Sequence, residues 1–466
     1  MAVPPLPTDV LRDILVVIHC PNALYNCCLV NKEWNEVAAP ILYRSWSLYD
    51  VESQCAMVML RKQPSSASTF DQEALSHVRN LSIFRHYIPK DIAARCTNLT
   101  ALEVYHYIPD IFELIPPNIT IFNATIDQYN ENDMKRLVSR CPNITSLTIC
   151  ANSTRALELI EHPLEKLQLR EFKITSNIGG TRINFPLFAT LGFKSGASLR
   201  SLSCCGVELT TRSLGISDVG GPSTGGNSCS LPNLEAVHFS NVSFDGEVFS
   251  ALLAGTNRIK KLELQVVENL APIDLCHVIT RNASTLTLLD CFHIINAPVF
   301  ELELPNLSSL RCRSFDSLHG KLETFIKKRG AQLESLVLFG PRSNINPIVY
   351  PNETRMWIDT DLIASHCIRL KRLLLYNLPL RISQFENILV GCKVLQFVFA
   401  KLDQSTLSSD RTSVPEEVYT IAKARADASN VLVRITTSGL TIPTEDIVPT
   451  RQMVKVISNG LVDWAF

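Results

Sequence analysis

A short apolar pattern, L-x-x-L-x-L, recurs along most of this 466-residue chain and constrains its fold more than any other feature. Other apolar residues and cysteine replace some of the leucines, and similar segments such as CPNITSL (141–147) and LPNLSSL (304–310) contain it. We identify thirteen copies, whose first residues lie 20 to 37 positions apart. Units that recur at such a period cannot bury an apolar face alone, so we expect the chain to stack them in a row. The copies begin at Val78, Leu99, Ile119, Ile144, Leu164, Leu199, Leu234, Ile259, Leu286, Leu307, Leu333, Leu370 and Val394.

The pattern resembles an irregular leucine-rich repeat. The resemblance implies an α/β fold: a solenoid in which each repeat supplies one short strand and a helical or irregular return, and whose strands form the parallel concave sheet of a horseshoe. We predict repeats over residues 77–437, as about 13 units plus an atypical last unit made of a helix from Ser413 toward Ala428 and a strand at 430–437, followed by a C-terminal tail at 438–466. The longest intervals predict insertions, of which a Gly- and Ser-rich loop at 215–230 is the clearest.

The first 46 residues carry a different, helical periodicity. The apolar residues between Val10 and Ile18 recur at steps of three and four, which predicts one amphipathic helix. Cys20-Pro21-Asn22 ends this helix, a second short helix follows, and Asn31 can cap a third that presents Trp34. Three short helices bury little apolar surface. We therefore expect this segment to complete its core against a partner protein.

Many positions of this segment agree in order and spacing with one known motif. They are Leu6-Pro7, Val10-Leu11, Ile14-Leu15, Leu24, Leu29-Val30, Lys32, Trp34, Pro40 and Leu42-Tyr43-Arg44. In this order they resemble the F-box, particularly as it occurs in fungal proteins, and we assign residues 1–46 to a small three-helix F-box and 47–76 to a helical linker. Cys20 and Asn31 depart from the residues that are common in the motif. The alternative is an ordinary N-terminal helical cap on a larger domain.

The resemblance to the F-box implies that this segment docks on the small Skp adaptor, which joins it to a cullin and RING ligase scaffold. The repeats would then capture an unknown protein target, so that the chain is the substrate receptor of an SCF-type ubiquitin ligase and not itself an enzyme. Two alternatives stay open: a Skp-binding repeat scaffold without a role in degradation, and a structural or receptor-type repeat protein. The residues that would hold the adaptor, by direct contact or by shaping the unit, are Leu6, Pro7, Val10, Leu11, Ile14, Leu15, Leu24, Leu29, Val30 and Trp34.

Composition and motifs favour a protein that binds other proteins. A net charge of −1 gives no electrostatic case for nucleic acid or an anionic membrane surface. No apolar run reaches the length of a membrane span and no signal-peptide pattern is present, so we expect a cytoplasmic and/or nuclear protein. We predict no catalytic site, metal site or cofactor, and we interpret the 15 cysteines as reduced core residues. Ten Asn-x-Ser/Thr sites would suit a secreted chain, but several fall within the repeat itself.

The predicted target surface follows from the alternation of side chains along a strand. In L-x-x-L-x-L the residues beside the second and third apolar positions point to the concave face. In early repeats these are mainly small or polar, whereas later repeats combine aromatic, aliphatic and guanidinium groups, which suits a target segment that is acidic or phosphorylated and carries an apolar residue nearby. The alternative is that the C-terminal tail covers this strip. The early residues are Ser146, Thr148, Lys166, Gln168, Ser201 and Ser203; the later ones, assigned to target binding, are Leu288, Asp290, Phe292, Arg311, Arg313, Val337, Phe339, Arg372, Leu374 and Tyr376.

Overall fold

The chain forms two compact units, Met1–Asn233 and Leu234–Phe466, which we describe separately. Most of the predicted linker at 47–76, the predicted loop at 215–230, Phe292, the predicted helix from Ser413 toward Ala428 and most of the tail at 438–466 lie outside the residues that the computed structural model describes. The described residues are 6–18, 20–47, 75–83, 95–108, 111–151, 153, 159, 166–176, 181–184, 195–210, 231–244, 248–291, 298–313, 316–340, 359–402, 432–437 and 455–458.

The first unit begins with three short helices, α1 (Thr8–Val16), α2 (Pro21–Cys28) and α3 (Lys32–Leu42). The predicted cap of the third helix is confirmed, because the Asn31 side-chain oxygen accepts a hydrogen bond from the backbone N–H of Trp34 at 2.9 Å. The three helices share one small core, formed by Leu11, Leu15, Leu24, Val37 and Ala38.

A parallel sheet follows the helices in the first unit. Strands β1 to β6 pair in sequence order, β8 pairs with β6, and β7 pairs separately with β9, all in parallel. The strands and the helices between them are β1 (Ser45–Ser47), β2 (Asn80–Ile83), β3 (Ala101–Val104), α4 (Ile111–Leu114), β4 (Ile121–Thr125), α5 (Glu131–Arg140), β5 (Ser146–Cys150), β6 (Glu171–Thr175), β7 (Thr181–Asn184), β8 (Ser201–Cys205) and β9 (Val207–Thr210).

The second unit repeats the same arrangement of parallel strands. Its strands β10 to β18 pair in sequence order and in parallel. Its elements are β10 (Ala236–Phe244), α6 (Val248–Leu253), β11 (Lys261–Glu268), α7 (Pro272–Arg281), β12 (Leu288–Cys291), β13 (Ser309–Arg313), α8 (Asp316–Arg329), β14 (Ser335–Phe339), α9 (Thr360–His366), β15 (Arg372–Leu380), α10 (Ile382–Gly391), β16 (Phe397–Leu402), β17 (Leu432–Thr437) and β18 (Lys455–Ser458), with short 3-10 turns at Pro298–Glu301 and Gly330–Gln332.

Strand register places the apolar positions of the repeat on one face of each sheet. Leu289, Leu310 and Leu336 are opposite one another on neighbouring strands, and all are buried. The residues between the apolar positions lie on the other face, which we call the open face. In each unit the parallel pairing extends beyond the predicted repeat segment, since β1 of the first unit precedes residue 77 and β18 of the second unit follows residue 437.

The predicted register is wrong for two of the repeats. The first of these is the copy that begins at Leu164. The structure pairs Phe172 with Leu147 on one side and with Leu202 on the other. The repeat is therefore Leu169-Phe172-Ile174, five residues further on. Lys166 and Gln168 consequently precede the strand, and Glu171 and Lys173 take their places on the open face.

The second wrong register is the copy that begins at Val394, which is displaced by one residue. Leu373 pairs with Val398, so the repeat reads Leu395-Val398-Ala400. Leu395 and Val398 are buried, whereas Val394 is exposed. A shift of one residue moves every side chain of a strand to the opposite face. Phe397 and Phe399, which the sequence assigned to the core, therefore lie on the open face.

The asparagines that precede many repeats have a structural role. The Asn98 side-chain amide donates to the carbonyl oxygen of Ser76 at 2.8 Å, Asn233 donates to Ala197 at 2.8 Å, and Asn306 donates to Ser284 at 2.6 Å. In each case the acceptor lies two residues before the first apolar residue of the preceding repeat. These bonds link successive repeats and account for Asn-x-Ser/Thr sites such as Asn98 and Asn306 without reference to a glycan.

Candidate protein-interaction sites

The first helix, α1, divides the predicted adaptor-binding residues into two groups. Leu11 and Leu15 are buried in the three-helix core together with Leu24. On the other side Leu6, Val10 and Ile14 are 45%, 44% and 44% exposed. Their four-residue spacing places them on one stripe of the helix and the turn before it. We call Leu6, Val10 and Ile14 the apolar stripe.

The other predicted adaptor-binding residues lie around the second and third helices. Leu29 and Val30, in the turn after α2, are 67% and 58% exposed. Pro7 is exposed just before α1, while Trp34 is half-buried and packs against the core. The sequence analysis did not single out three further exposed apolar side chains, Val16, Val17 and Tyr25. A unit with so small a core and so many exposed apolar residues suits docking on a partner protein.

The open face of the second unit carries a network of charged and polar side chains. His238 Nδ1 lies 3.0 Å from Glu263 Oε2, and Arg311 Nη1 lies 3.3 Å from Asp290 Oδ2. The amide of Gln265 also donates to Asp290, at 3.0 Å. The hydrogen bond with His238 is the main cause that lowers the pKa of Glu263, with a smaller contribution from the charge of Arg311. The network fixes Arg311 in place.

Three residues of the predicted target surface are buried, which corrects the expectation that they form part of an exposed patch. Asp290 is only 2% exposed, and Val337 and Leu374 are also buried. Arg311 and Gln265 both contact the Asp290 carboxylate. Val337 lies between Arg311 and Leu374 in the register of the sheet, so neighbouring strands restrict its access. These residues support the surface, while Leu288 and Arg311 are half-buried beside them.

Aromatic rings stack across the open face next to this network. The Phe339 and Tyr376 rings are parallel within 10° at a centroid distance of 4.7 Å, and Tyr376 lies 4.9 Å from Phe399. We call Phe339, Tyr376 and Phe399 the aromatic strip. All three rings are half-buried. The sequence analysis missed Phe399 because of the displaced register, although the run QFVFA shows apolar residues on both faces of the strand.

Two arginines lie over aromatic rings on the same face. The Arg311 guanidinium carbon is 5.0 Å from the centre of the Phe339 ring, and that of Arg372 is 5.9 Å from the centre of Phe397. A shallow cavity of about 240 Å³ lies along these strands. The structure thus brings together the predicted residues from Leu288 to Tyr376, except that the side chain of Arg313, like Phe292, lies outside the described part of the chain. The cavity is lined by Glu263, Leu288, Asp290, Ser309, Arg311, Ser335, Val337, Arg372, Leu374 and Tyr376.

The open face of the first unit is polar, as its early repeats predict. Glu103 accepts hydrogen bonds from Ser82 at 2.7 Å and from Asn123 at 2.8 Å. A cavity of about 350 Å³ there is bordered by Asn123, Thr148 and Lys173, among others. This surface has no aromatic stack comparable to that of the second unit among its described residues.

The cysteines of the described residues lie mainly in the core. Burial raises the pKa of the Cys96 and Cys291 thiols to about 12. No group of His, Cys, Asp and Glu side chains in this part of the chain could hold a metal ion. None of its helices combines the length and apolar character needed to cross a membrane.

Comparison with known proteins gives little similarity. No protein-family model and no curated protein matches the chain. Among solved structures, a chain of the crystal structure of the Rad7 and Elc1 complex in yeast is 13% identical, with a TM-score of 0.40 over 98% of each chain. A TM-score of this size is too low to carry a conclusion, so the functional argument rests on the residues of this chain.

Proposed function

We propose that this protein is an F-box and leucine-rich repeat substrate receptor of an SCF-type ubiquitin ligase. In this proposal the N-terminal helices bind the Skp adaptor, and through it a cullin and RING scaffold, while the repeats bind a protein target. The chain contributes binding and not catalysis, and it acts in the cytoplasm and/or nucleus. Holding a target near a ligase-bound conjugating enzyme turns a bimolecular encounter into a local one.

The observation that carries the proposal is the division of α1 into a buried and an exposed apolar side. Leu11 and Leu15 already satisfy the core of the unit, so Val10 and Ile14 are not needed for its packing. Exposed apolar side chains at helical spacing on a small unit are typical of a helix face that docks on a partner. The order of residues from Leu6 to Arg44, which resembles the F-box, supports the Skp adaptor as that partner.

The test is co-purification of the full-length chain with a recombinant Skp adaptor. We expect the wild-type chain to retain the adaptor and the double variant Val10→Glu, Ile14→Glu to lose it, because each change places a carboxylate in an apolar interface. Truncating a central anchor alone typically costs about 2 kcal/mol, or roughly thirtyfold in affinity.

A matched control comes from an exposed valine on another helix. Val390, on α10, is 72% exposed, so Val390→Glu introduces a carboxylate without touching the N-terminal helices. This variant should retain the adaptor fully. Wild-type binding by the Val10→Glu, Ile14→Glu variant, or no binding by the wild-type chain, would refute the proposed function.

A further inference from the structure

We propose that the aromatic strip and Arg372 bind an extended peptide in which one carboxylate lies two or four residues from an aromatic or large aliphatic side chain. This inference rests on the proposed function, because it specifies the chemistry of the target that the repeats would capture. It concerns only the open face of the second unit.

Arg311 and Arg372 differ in whether a carboxylate of the chain itself pairs with the guanidinium. Arg311 already pairs with the buried Asp290 carboxylate and lies over Phe339. Arg372 is exposed, and its described contact is with the face of the Phe397 ring. No carboxylate in the described part of the chain forms an ion pair with it. Arg372, and not Arg311, is therefore the guanidinium that can receive an acidic group, and its planar fork suits a carboxylate.

One available arginine also decides between a carboxylate and a phosphate. A phosphate group carries nearly two negative charges at neutral pH and is usually bound by a cluster of arginines. Here the second arginine is neutralised by Asp290, and Glu263 lies further along the same face. A single unpaired guanidinium matches the single charge of Asp or Glu. We therefore commit to an unmodified acidic residue.

The apolar part of the site is the aromatic strip. Phe339, Tyr376 and Phe399 are half-buried, and the buried Val337 and Leu374 lie on the same face, two residues before Phe339 and Tyr376 on their strands. The contacts among the three rings hold their faces in place, so an incoming side chain finds a preformed surface.

Strand geometry sets the spacing of the two parts. Arg372 and Tyr376 lie on the same strand, four residues apart, which corresponds to about 13 Å at roughly 3.3 Å per residue. Phe399 is opposite Leu374, two residues from Arg372 in the register, or about 7 Å along the strand direction. An extended peptide presents alternate side chains on one side, so the carboxylate and the apolar group should be two or four residues apart.

Stacked rings beside arginine would also suit single-stranded nucleic acid. Binding of a phosphate backbone, however, needs several unpaired cations along its path. The open face of the second unit instead carries the Glu263 and Asp290 carboxylates, on β11 and β12. The observed charges favour a peptide.

The experiment uses the full-length chain and a synthetic array of short unphosphorylated peptides. Each peptide contains one Asp and one Phe in a background of Ala and Ser, and the number of residues between them varies across the array. Phosphoserine peptides and single-stranded oligonucleotides are placed on the same array surface. We expect the strongest binding at spacings of two and four. Arg372→Ala should weaken it roughly tenfold, since a charge-assisted hydrogen bond is lost, and Phe399→Ala should remove the preference for Phe.

A matched control is Lys261→Ala. Lys261 is also an exposed cation on the open face, but it lies on β11, away from the rings, and its removal should leave peptide binding unchanged. Thermal melts of each variant verify folding, and Phe399→Leu, which keeps an apolar group, should partly restore binding. Adaptor co-purification by the same variants should stay at the wild-type level, which separates this inference from the proposed function.

Four results would overturn the inference. They are the absence of any spacing preference, equal binding by Arg372→Ala and wild type, preferential binding of phosphoserine peptides or oligonucleotides, and peptide binding that appears only after residues 459–466 are deleted. The last result would show that the tail of the chain itself occupies the surface.

Discussion

Individual residues show where this chain departs from ideal repeat geometry. Asn241 and Val266 occupy equivalent positions on the paired strands β10 and β11, and both have left-handed backbone angles, with φ of 53° and 52°. Asparagine tolerates this conformation, whereas a β-branched side chain is strained in it. The left-handed conformation at Val266 therefore costs free energy that the same conformation at Asn241 largely avoids.

We expect Val266→Asn to stabilise the protein by about 1 kcal/mol, because it relieves this strain. Val266 is 38% exposed, so little apolar burial is lost. The matched control is Val267→Asn, at a neighbouring half-buried position of the same strand without a left-handed angle, which should destabilise. Urea denaturation followed by circular dichroism gives both midpoints. A lower midpoint for Val266→Asn would contradict the strain argument.

Glu263 should make stability depend on pH. The hydrogen bond with His238 lowers the pKa of the Glu263 carboxyl in the folded protein. The ionised carboxylate therefore stabilises the fold fully at pH values above the pKa of Glu263 in the unfolded chain. This stabilisation is lost as the pH falls through the lower pKa of the folded state. The group is only half-buried, so the effect is expected to be below about 1 kcal/mol.

Unfolding midpoints between neutral and acidic pH test this expectation. Glu263→Gln should be less stable than wild type near neutrality, and the difference should shrink as the solution becomes acidic. Glu268→Gln, at an exposed position of the same strand, serves as the control and should follow the wild-type profile. If the difference in stability between wild type and Glu263→Gln were the same at all pH values, the ionised carboxylate would not be the cause of that difference.

At the scale of elements, glycines report how closely helices approach one another. A Cβ atom at Gly391, at the end of α10, would lie 2.6 Å from both the Cβ and the carbonyl oxygen of Ala364 on α9. A Cβ atom at Gly320, within α8, would meet nothing within 4 Å. The same substitution should therefore have opposite effects at the two positions.

We predict that Gly391→Ala destabilises by about 1–3 kcal/mol, the usual range for overpacking. Gly320→Ala should stabilise by about 0.5–1 kcal/mol, because alanine is the better helix former and no contact is disturbed. Thermal and urea melts of the two variants in the full-length chain measure both effects. Equal shifts of the same sign would show that close packing of α9 and α10 is not what requires Gly391.

At the scale of the whole molecule, the repeat sequence predicts the strands well because each strand follows from a local apolar pattern. Eleven of the thirteen starts agree with the observed register, and the two exceptions have a common physical cause. LEKLQLREFKI contains two overlapping matches, at Leu164 and Leu169, and CKVLQFVFA contains two that differ by one residue. Pairing with the neighbouring strand decides between them, and that pairing is not local.

The interaction surfaces are predictable to different degrees for the same reason. The three-helix unit depends on local periodicity and a cap, so its buried and exposed sides follow from the sequence once the helices are placed. The open face of the second unit depends on partners 20 or more residues apart, such as Asp290 with Arg311 and Phe339 with Tyr376. Sequence analysis found most of these residues but not which arginine is neutralised or which rings stack.

Strand β16 carries apolar side chains on both of its faces, which has a consequence for folding. If the strand entered the sheet displaced by one residue, Val394 and Phe397 would take the buried places of Leu395 and Val398, and hydrophobic burial alone would discriminate poorly between the two alignments. The contact of the Tyr376 ring with Phe399 and that of Arg372 with Phe397 belong to the native alignment. The same rings that form a candidate ligand surface thus widen the energy gap between the native state and its nearest misfolded competitor.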